Sequence, residues 1–194
     1  MNNSSNFYAL LNRMKYIERW SLMRNSVPDN LIEHSYQVAY ITQALCLIKN
    51  KLYGGNVNVE KAVSIAMFHD ASEVITGDMP TPIKYNNPKI EHAYKEMEAL
   101  AESKLLEMLP DFLRDYYAEL ISPDTSTEEY KLVKYADKLA AYLKCEEETN
   151  AGNKEYSVAR DTTFATLCVL GAPEVKYFLD NFTGGFFKPL DVLK

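Results

Sequence analysis

Apolar side chains recur every three or four residues along almost the whole of this chain, and that spacing admits a set of packed amphipathic helices and little else. Phe7, Leu10, Met14 and Ile17 open the pattern and predict a first helix ending near Arg19-Trp20. Pro28 cannot continue a hydrogen-bonded turn, so Met23 to Pro28 reads as a loop. A second helix starts at Asp29 or Asn30, either of which can cap it, and runs to about Asn50. Its stripe is Val38, Ile41, Leu45 and Ile48, and four residues further back that stripe lands on His34. Gly54-Gly55-Asn56 marks a turn. Val59 to Ile75 then predicts one well-buried helix, stopped at Thr76-Gly77 where glycine tolerates a positive φ.

Two prolines stiffen the Asp78 to Pro82 loop. A long helix follows Pro88, with Ile90, Ala93, Met97, Leu100, Leu105 and Met108 expected inward, and Pro110 opens a shorter one. Ser126-x-x-Glu129 has the form of a capping box ahead of a helix carrying Leu132, Ala136, Leu139 and Leu143. Ala151-Gly152-Asn153 ends that helix, and one or two more precede a turn-rich tail from Gly184. No alternating strand pattern, repeat or low-complexity segment interrupts the series. The expectation is an all-α single domain over residues 1–194.

The composition, 47% hydrophobic and 25% charged, is that of a globular chain. A net charge of -6 argues against a nucleic-acid polymer as partner, since a protein tracking a phosphate backbone presents a basic face. A small anion is still admissible, because a bound metal and a few local cations dominate the field inside one cleft. Cys46, Cys145 and Cys168 are odd in number and far apart, which suits core residues in a reducing compartment. Met1 to Trp20 holds no unbroken apolar core, and no stretch is long enough to span a bilayer. The expectation is a cytoplasmic protein with no membrane partner.

Three histidines are present. His92 lies among Glu91, Lys95 and Glu96 and reads as a surface residue. His34 sits on an apolar stripe, where a core histidine satisfied by a carbonyl is the plainer reading. His69-Asp70 falls inside the most apolar segment of the chain, where two adjacent ionisable groups are costly to bury uncompensated. Glu73 stands four residues after His69 and three after Asp70, within side-chain reach of both on a helix. Two carboxylates that close repel, and a divalent cation is the simplest way to hold both ionised. A hydrogen-bonded core pair also fits a bare His-Asp dipeptide. Glu73 and the apolar setting favour a functional cluster. Asp137 flanks the stripe of its helix, where pairing with Lys134 or Lys138 would equally explain it.

His34, His69-Asp70 and Asp137, on three separate helices, resemble the H…HD…D signature of the HD-domain phosphohydrolases. The resemblance narrows with Arg19-Trp20-x-Leu22-Met23-Arg24-Asn25, Glu33-His34-Ser35, Gly54-Gly55-Asn56-Val57-Asn58, His69-Asp70-Ala71-Ser72-Glu73-Val74, Gly77-Asp78-x-Pro80-Thr81-Pro82 and Tyr142-Leu143-Lys144-Cys145. These stretches are similar to the bacterial 5'-deoxynucleotidases of the YfbR type. The similarity runs from about Phe7 to Gly152 and weakens over about 153–194. Lys138 after the last ligand departs from the family's pattern.

The resemblance implies hydrolysis of deoxyribonucleoside 5'-monophosphates by a metal-activated water. It makes His34, His69, Asp70 and Asp137 the ligands of a divalent cation, cobalt, manganese or a similar ion. It makes Glu73 the proton donor or acceptor, and Arg19 the bidentate partner of the phosphate. Trp20 would offer a flat face to sugar or base, and Asp78 would hold the deoxyribose or assist proton transfer. Asp70, Met79, Pro80 and Thr81 would complete the substrate pocket. A homodimer is implied only by the resemblance. Two other readings stay open: the same metal chemistry on a triphosphate, cyclic nucleotide or guanosine polyphosphate, and a non-catalytic nucleotide sensor. Glu73 speaks against the sensor, which needs no acid-base group beside a metal.

Overall fold

A computed structural model describes residues 5–193 of the chain. Residues 1–4, where part of the Met1 to Trp20 reading rests, and Lys194 at the end of the expected domain lie outside the described residues. Among the described residues ten α-helices follow one another: α1 Phe7–Leu11, α2 Leu31–Leu52, α3 Val59–Phe68, α4 Glu73–Thr76, α5 Thr81–Lys84, α6 Pro88–Glu107, α7 Asp111–Ile121, α8 Glu128–Asn150, α9 Ser157–Val169 and α10 Pro173–Asn181. Among the described residues the only extended pairing is an isolated antiparallel bridge between Glu18 and Asn30. The all-α expectation stands.

The main core lies between α2, α3 and α8, with α10 closing one side. Val38, Ile41, Leu45 and Ile48 of α2 meet Ala62, Ile65 and Ala66 of α3 and Leu132, Ala136, Leu139 and Leu143 of α8. His34 is buried at the start of the α2 stripe, as its spacing predicted. Asn30 is the cap: its side chain accepts the amides of Ile32 and Glu33. A second cluster gathers Phe7, Ala71, Leu105, Leu109 and Ile121, and Phe68 packs against both. The segment after Phe68 therefore sits where two cores meet.

Four expectations need correcting. The first helix is one and a half turns long and passes into a 3-10 turn over Asn12–Tyr16, well short of Arg19-Trp20. Trp20 there has φ 59, a conformation a bulky side chain enters only under constraint. The helix predicted over Val59 to Ile75 breaks at His69–Ser72 and resumes as the single turn α4. In a continuous helix the Ala66 carbonyl would accept the amide of Asp70; here it is met by His69 Nδ1 at 2.7 Å. The next amides reach back three residues, Ala71 to Phe68 and Glu73 to Asp70, both at 3.0 Å. Side-chain chemistry at His69 thus overrides a strong apolar propensity. Gly77 does end α4 with φ 74.

The buried face of α6 is Tyr94, Ala101 and Leu105, while Ala93, Met97 and Leu100 are exposed. The two candidate stripes differ by one residue, and a tyrosine decides between them: its ring is buried and its hydroxyl reaches the Gly77 carbonyl at 3.3 Å. Finally, α8 is capped by Thr127, not Ser126: the Thr127 hydroxyl accepts the Tyr130 amide at 3.2 Å. Ser126 turns to Asp124, and Glu129 accepts the Asn58 amide at 2.9 Å, tying the start of α8 to the start of α3. Thr127→Ala is therefore expected to lower stability by about 0.5–2 kcal/mol. Ser126→Ala should cost no more than about 0.5 kcal/mol. Urea midpoints in the reverse order would restore the capping box.

Candidate metal centre

Antiparallel packing brings the beginning of α2 beside the end of α3, with α8 across both. His34 comes from the first, His69 and Asp70 from the break after the second, Asp137 from the middle of the third. One ligand atom each of His34, His69 and Asp70 lies within 4.8 Å of the others. Asp70 Oδ2 is 3.1 Å from His69 Nε2 and 3.5 Å from His34 Nε2. Asp137 Oδ1 lies 3.1 Å from His34 Nε2. It touches the trio through His34 and is not among the three mutually close residues. Its outer oxygen pairs with Lys134 at 3.4 Å.

Whether this set suits a metal turns on its nitrogens. His69 Nδ1 donates to the Ala66 carbonyl, which leaves Nε2 as the inward lone pair. His69 Nε2 and both His34 nitrogens are buried without a hydrogen-bond partner. Buried polar atoms are rarely left so, and a cation bound among two imidazoles and two carboxylates satisfies the two inward nitrogens, His34 Nε2 and His69 Nε2. The residues present fit a divalent metal.

The charges follow from burial and neighbours. Burial and the Arg19 guanidinium hold His34 below the ordinary imidazole pKa of 6.5. Burial also draws His69 down, but Asp70 and Asp137 outweigh it and carry this ring above 6.5. Burial pushes both carboxyls up, and opposing charges win: His69 and His34 lower Asp70, while Lys134 and the two histidines hold Asp137 well below the usual range. Glu73 goes the other way. It is 8% exposed, its Oε2 has no partner, and burial together with Asp70 and Asp78 pushes it up to about 10. This carboxyl carries its proton at neutral pH.

Arg19 stands at the neck of an excursion between Ile17 and Leu31. Its amide donates to the Asp29 carbonyl at 2.9 Å, and its Nη1 meets Asp29 Oδ2 at 2.9 Å. Its charge is felt by His34, Glu73 and Asp78, so the guanidinium faces the cluster. Asp78 is half-buried and raised by burial, with Arg19 and the Trp20 amide acting against that. Trp20 rests on the Tyr156 ring at 5.3 Å between centroids. Met79 and Pro80 are half-buried and Thr81, at the start of α5, is exposed; none hydrogen-bonds to the cluster. His92 is 77% exposed beside Glu96, a surface residue as expected. Asp29 went unrecognised as Arg19's partner. Its place at the start of the second helix points only to a cap, and ten residues of separation give no sign of the pairing.

Residues 6–186 match the family described as 5'-deoxynucleotidase YfbR-like. A 5'-deoxynucleotidase of Vibrio vulnificus is 51% identical over 188 residues, 96% of this chain and 97% of that one. A 5'-deoxynucleotidase of Yersinia pestis is 50% identical over 188 residues, 96% and 95% of the two chains. Among solved structures, an HD-domain phosphohydrolase from Listeria innocua superposes with a TM-score of 0.82, covering 93% of this chain and 88% of that one at 24% identity. The last shares the fold.

A titration follows from this geometry. In metal-free protein, nitrogen-15 imidazole NMR should find His69 still protonated at pH 6.5 and His34 already neutral. Since His69's folded pKa lies above its unfolded one, its ion pairs stabilise fully below pH 6.5 and are lost as pH rises through the folded value. The opposite order of titration would contradict the assignment of neighbours.

Proposed function

We propose, because this chain belongs to the YfbR-like 5'-deoxynucleotidase family, that it hydrolyses deoxyribonucleoside 5'-monophosphates to deoxynucleoside and phosphate. The observation that carries the reading is a single polar site holding a metal-fitting trio, the buried and unpartnered Glu73 carboxyl and the Arg19 guanidinium. Each component matches one demand of phosphomonoester cleavage.

In this reading His34, His69, Asp70 and Asp137 hold the divalent cation, which we take to be cobalt or manganese. When bound, the cation supplies Lewis acidity toward water and the phosphoryl group. Arg19 binds phosphoryl oxygens through the donors Asp29 leaves free, and the fork of those donors fixes the phosphate's orientation. Glu73 keeps a proton at hand for the departing 5'-oxygen, which would otherwise leave as a costly alkoxide. Trp20 offers its ring to sugar or base, Asp78 meets the deoxyribose, and Met79, Pro80 and Thr81 shape the rest of the pocket. Lack of room for a 2'-hydroxyl gives the preference for deoxyribose. Three cysteines, none paired, suit a cytoplasmic protein. The working unit is a homodimer, which sedimentation would reveal.

Phosphate release from a panel of deoxy- and ribonucleotides with added cobalt or manganese tests this. Release is expected from deoxymonophosphates, with AMP turned over far more slowly than dAMP. Asp70→Ala should be inactive, and Glu73→Gln should lose about 100- to 10,000-fold in kcat. Equal turnover of AMP and dAMP would remove the sugar preference, and release only from triphosphates or cyclic nucleotides would replace the substrate. Tight nucleotide binding without release would make the chain a sensor. Full activity in Glu73→Gln would remove the proton-transfer role.

A further inference from the structure

Lys144 belongs to one of the stretches by which the sequence resembles its family, yet nothing at the metal centre uses it. It lies on α8 seven residues beyond Asp137, and Glu148 follows one turn later, so all three share one side of the helix. Both Lys144 and Glu148 are buried, and they pair at 2.6 Å. A buried pair costs more in desolvation than a surface one and persists where other groups complete its hydrogen bonds. Here those groups are the backbone of the excursion that carries Arg19 and Trp20. Glu148 accepts the Ser26 amide at 2.9 Å and the Val27 amide at 3.1 Å. Lys144 Nζ donates to the Val27 carbonyl. Asn153 donates to Glu148 at 2.8 Å and to the Arg24 carbonyl at 2.6 Å. The Tyr156 hydroxyl donates to the Asn25 side chain, and its ring supports Trp20. Gly152, with φ 87, ends α8 so that Asn153 turns back onto Glu148.

Residues 24–27 are thus held by hydrogen bonds from the last turns of α8 and the segment behind it. The neck of the same excursion is closed by the Glu18–Asn30 bridge and the Arg19–Asp29 pair. One helix therefore carries a metal-fitting carboxylate and, about 10–16 Å further along its axis, the anchor of the loop that presents Arg19. Burial pushes the Glu148 carboxyl up, and Lys144, Asn153 and the two amides more than reverse this, holding it at about 2. The Glu148 carboxylate therefore stays ionised at neutral pH.

We propose that the buried Lys144–Glu148 pair, with Asn153 and Tyr156, is a positioning clamp that sets Arg19 and Trp20 at a fixed place relative to the metal centre. The clamp touches neither substrate nor metal and acts through the loop. This rests on the proposed phosphomonoesterase reading for its kinetic consequence but not for its structural one. Trp20 is the only tryptophan, so its emission reports the loop directly.

The test compares full-length wild type with Glu148→Gln and Tyr156→Phe at a temperature where all are folded. In Glu148→Gln, acrylamide quenching of Trp20 is expected to rise, cobalt affinity to stay as in wild type, and KM for dAMP to increase about tenfold with kcat little changed, as when binding shared by ground state and transition state is weakened. Tyr156→Phe should move the same quantities in the same direction by less, and it carries the test alone should Glu148→Gln fail to fold. Wild-type quenching or wild-type KM in the folded variants, whatever their melting temperatures, would overturn the clamp and leave a purely stabilising pair. Should wild type release no phosphate from deoxymonophosphates, the functional reading falls. The clamp is then judged by quenching and by the dissociation constant of inorganic phosphate followed through Trp20.

Discussion

Two buried imidazoles converging with two partly buried carboxylates are the constraint on which the rest of this structure depends. Unpaired charge in such a setting costs several kcal/mol per group, and the inward ring nitrogens have no hydrogen-bond partner. A divalent cation relieves both problems at once. The fold is arranged to create that demand: three helices with apolar stripes pack so that the start of α2, the end of α3 and the middle of α8 converge. The break at His69–Ser72 is part of the same arrangement, since it lets His69 hold the Ala66 carbonyl while Ala71 drops into the second core.

Around that centre the polar groups sort by their surroundings. Asp70 and Asp137 are kept ionised by the histidines and Lys134, and Glu73, a few residues away, is kept neutral by burial and by Asp70 and Asp78. Carboxyls pushed to opposite protonation states within one site are the pattern expected where one set binds and another moves a proton. Arg19 turns its charge toward the cluster and is held through Asp29. Its neighbour Trp20 accepts a strained φ of 59 because the loop is fixed at both ends.

Much of this was legible in the sequence where a residue's identity and its spacing agreed. His34 could be placed because four residues separate it from Val38 on a continuous stripe. Glu73 could be grouped with His69 and Asp70 by helical spacing, and the grouping survives although the helix itself breaks between them. The break was not legible, because it is made by a side chain competing for a backbone carbonyl inside an apolar run. The α6 face was misjudged because Ala93, Met97 and Leu100 outrank Tyr94 in hydrophobicity, whereas the tyrosine alone can fill the interior and satisfy Gly77. Asp29 and Glu148 were invisible for a common reason: each acts on a partner distant in sequence, Asp29 across ten residues and Glu148 across more than a hundred.

The central claim, that these side chains from three elements form one metal centre, is tested most directly by anomalous diffraction from crystals grown with cobalt or manganese. The account predicts a single strong peak per chain, at ligand distance from His34 Nε2, His69 Nε2 and the facing oxygens of Asp70 and Asp137. A peak bounded by other residues, or none there at saturating metal, would contradict it.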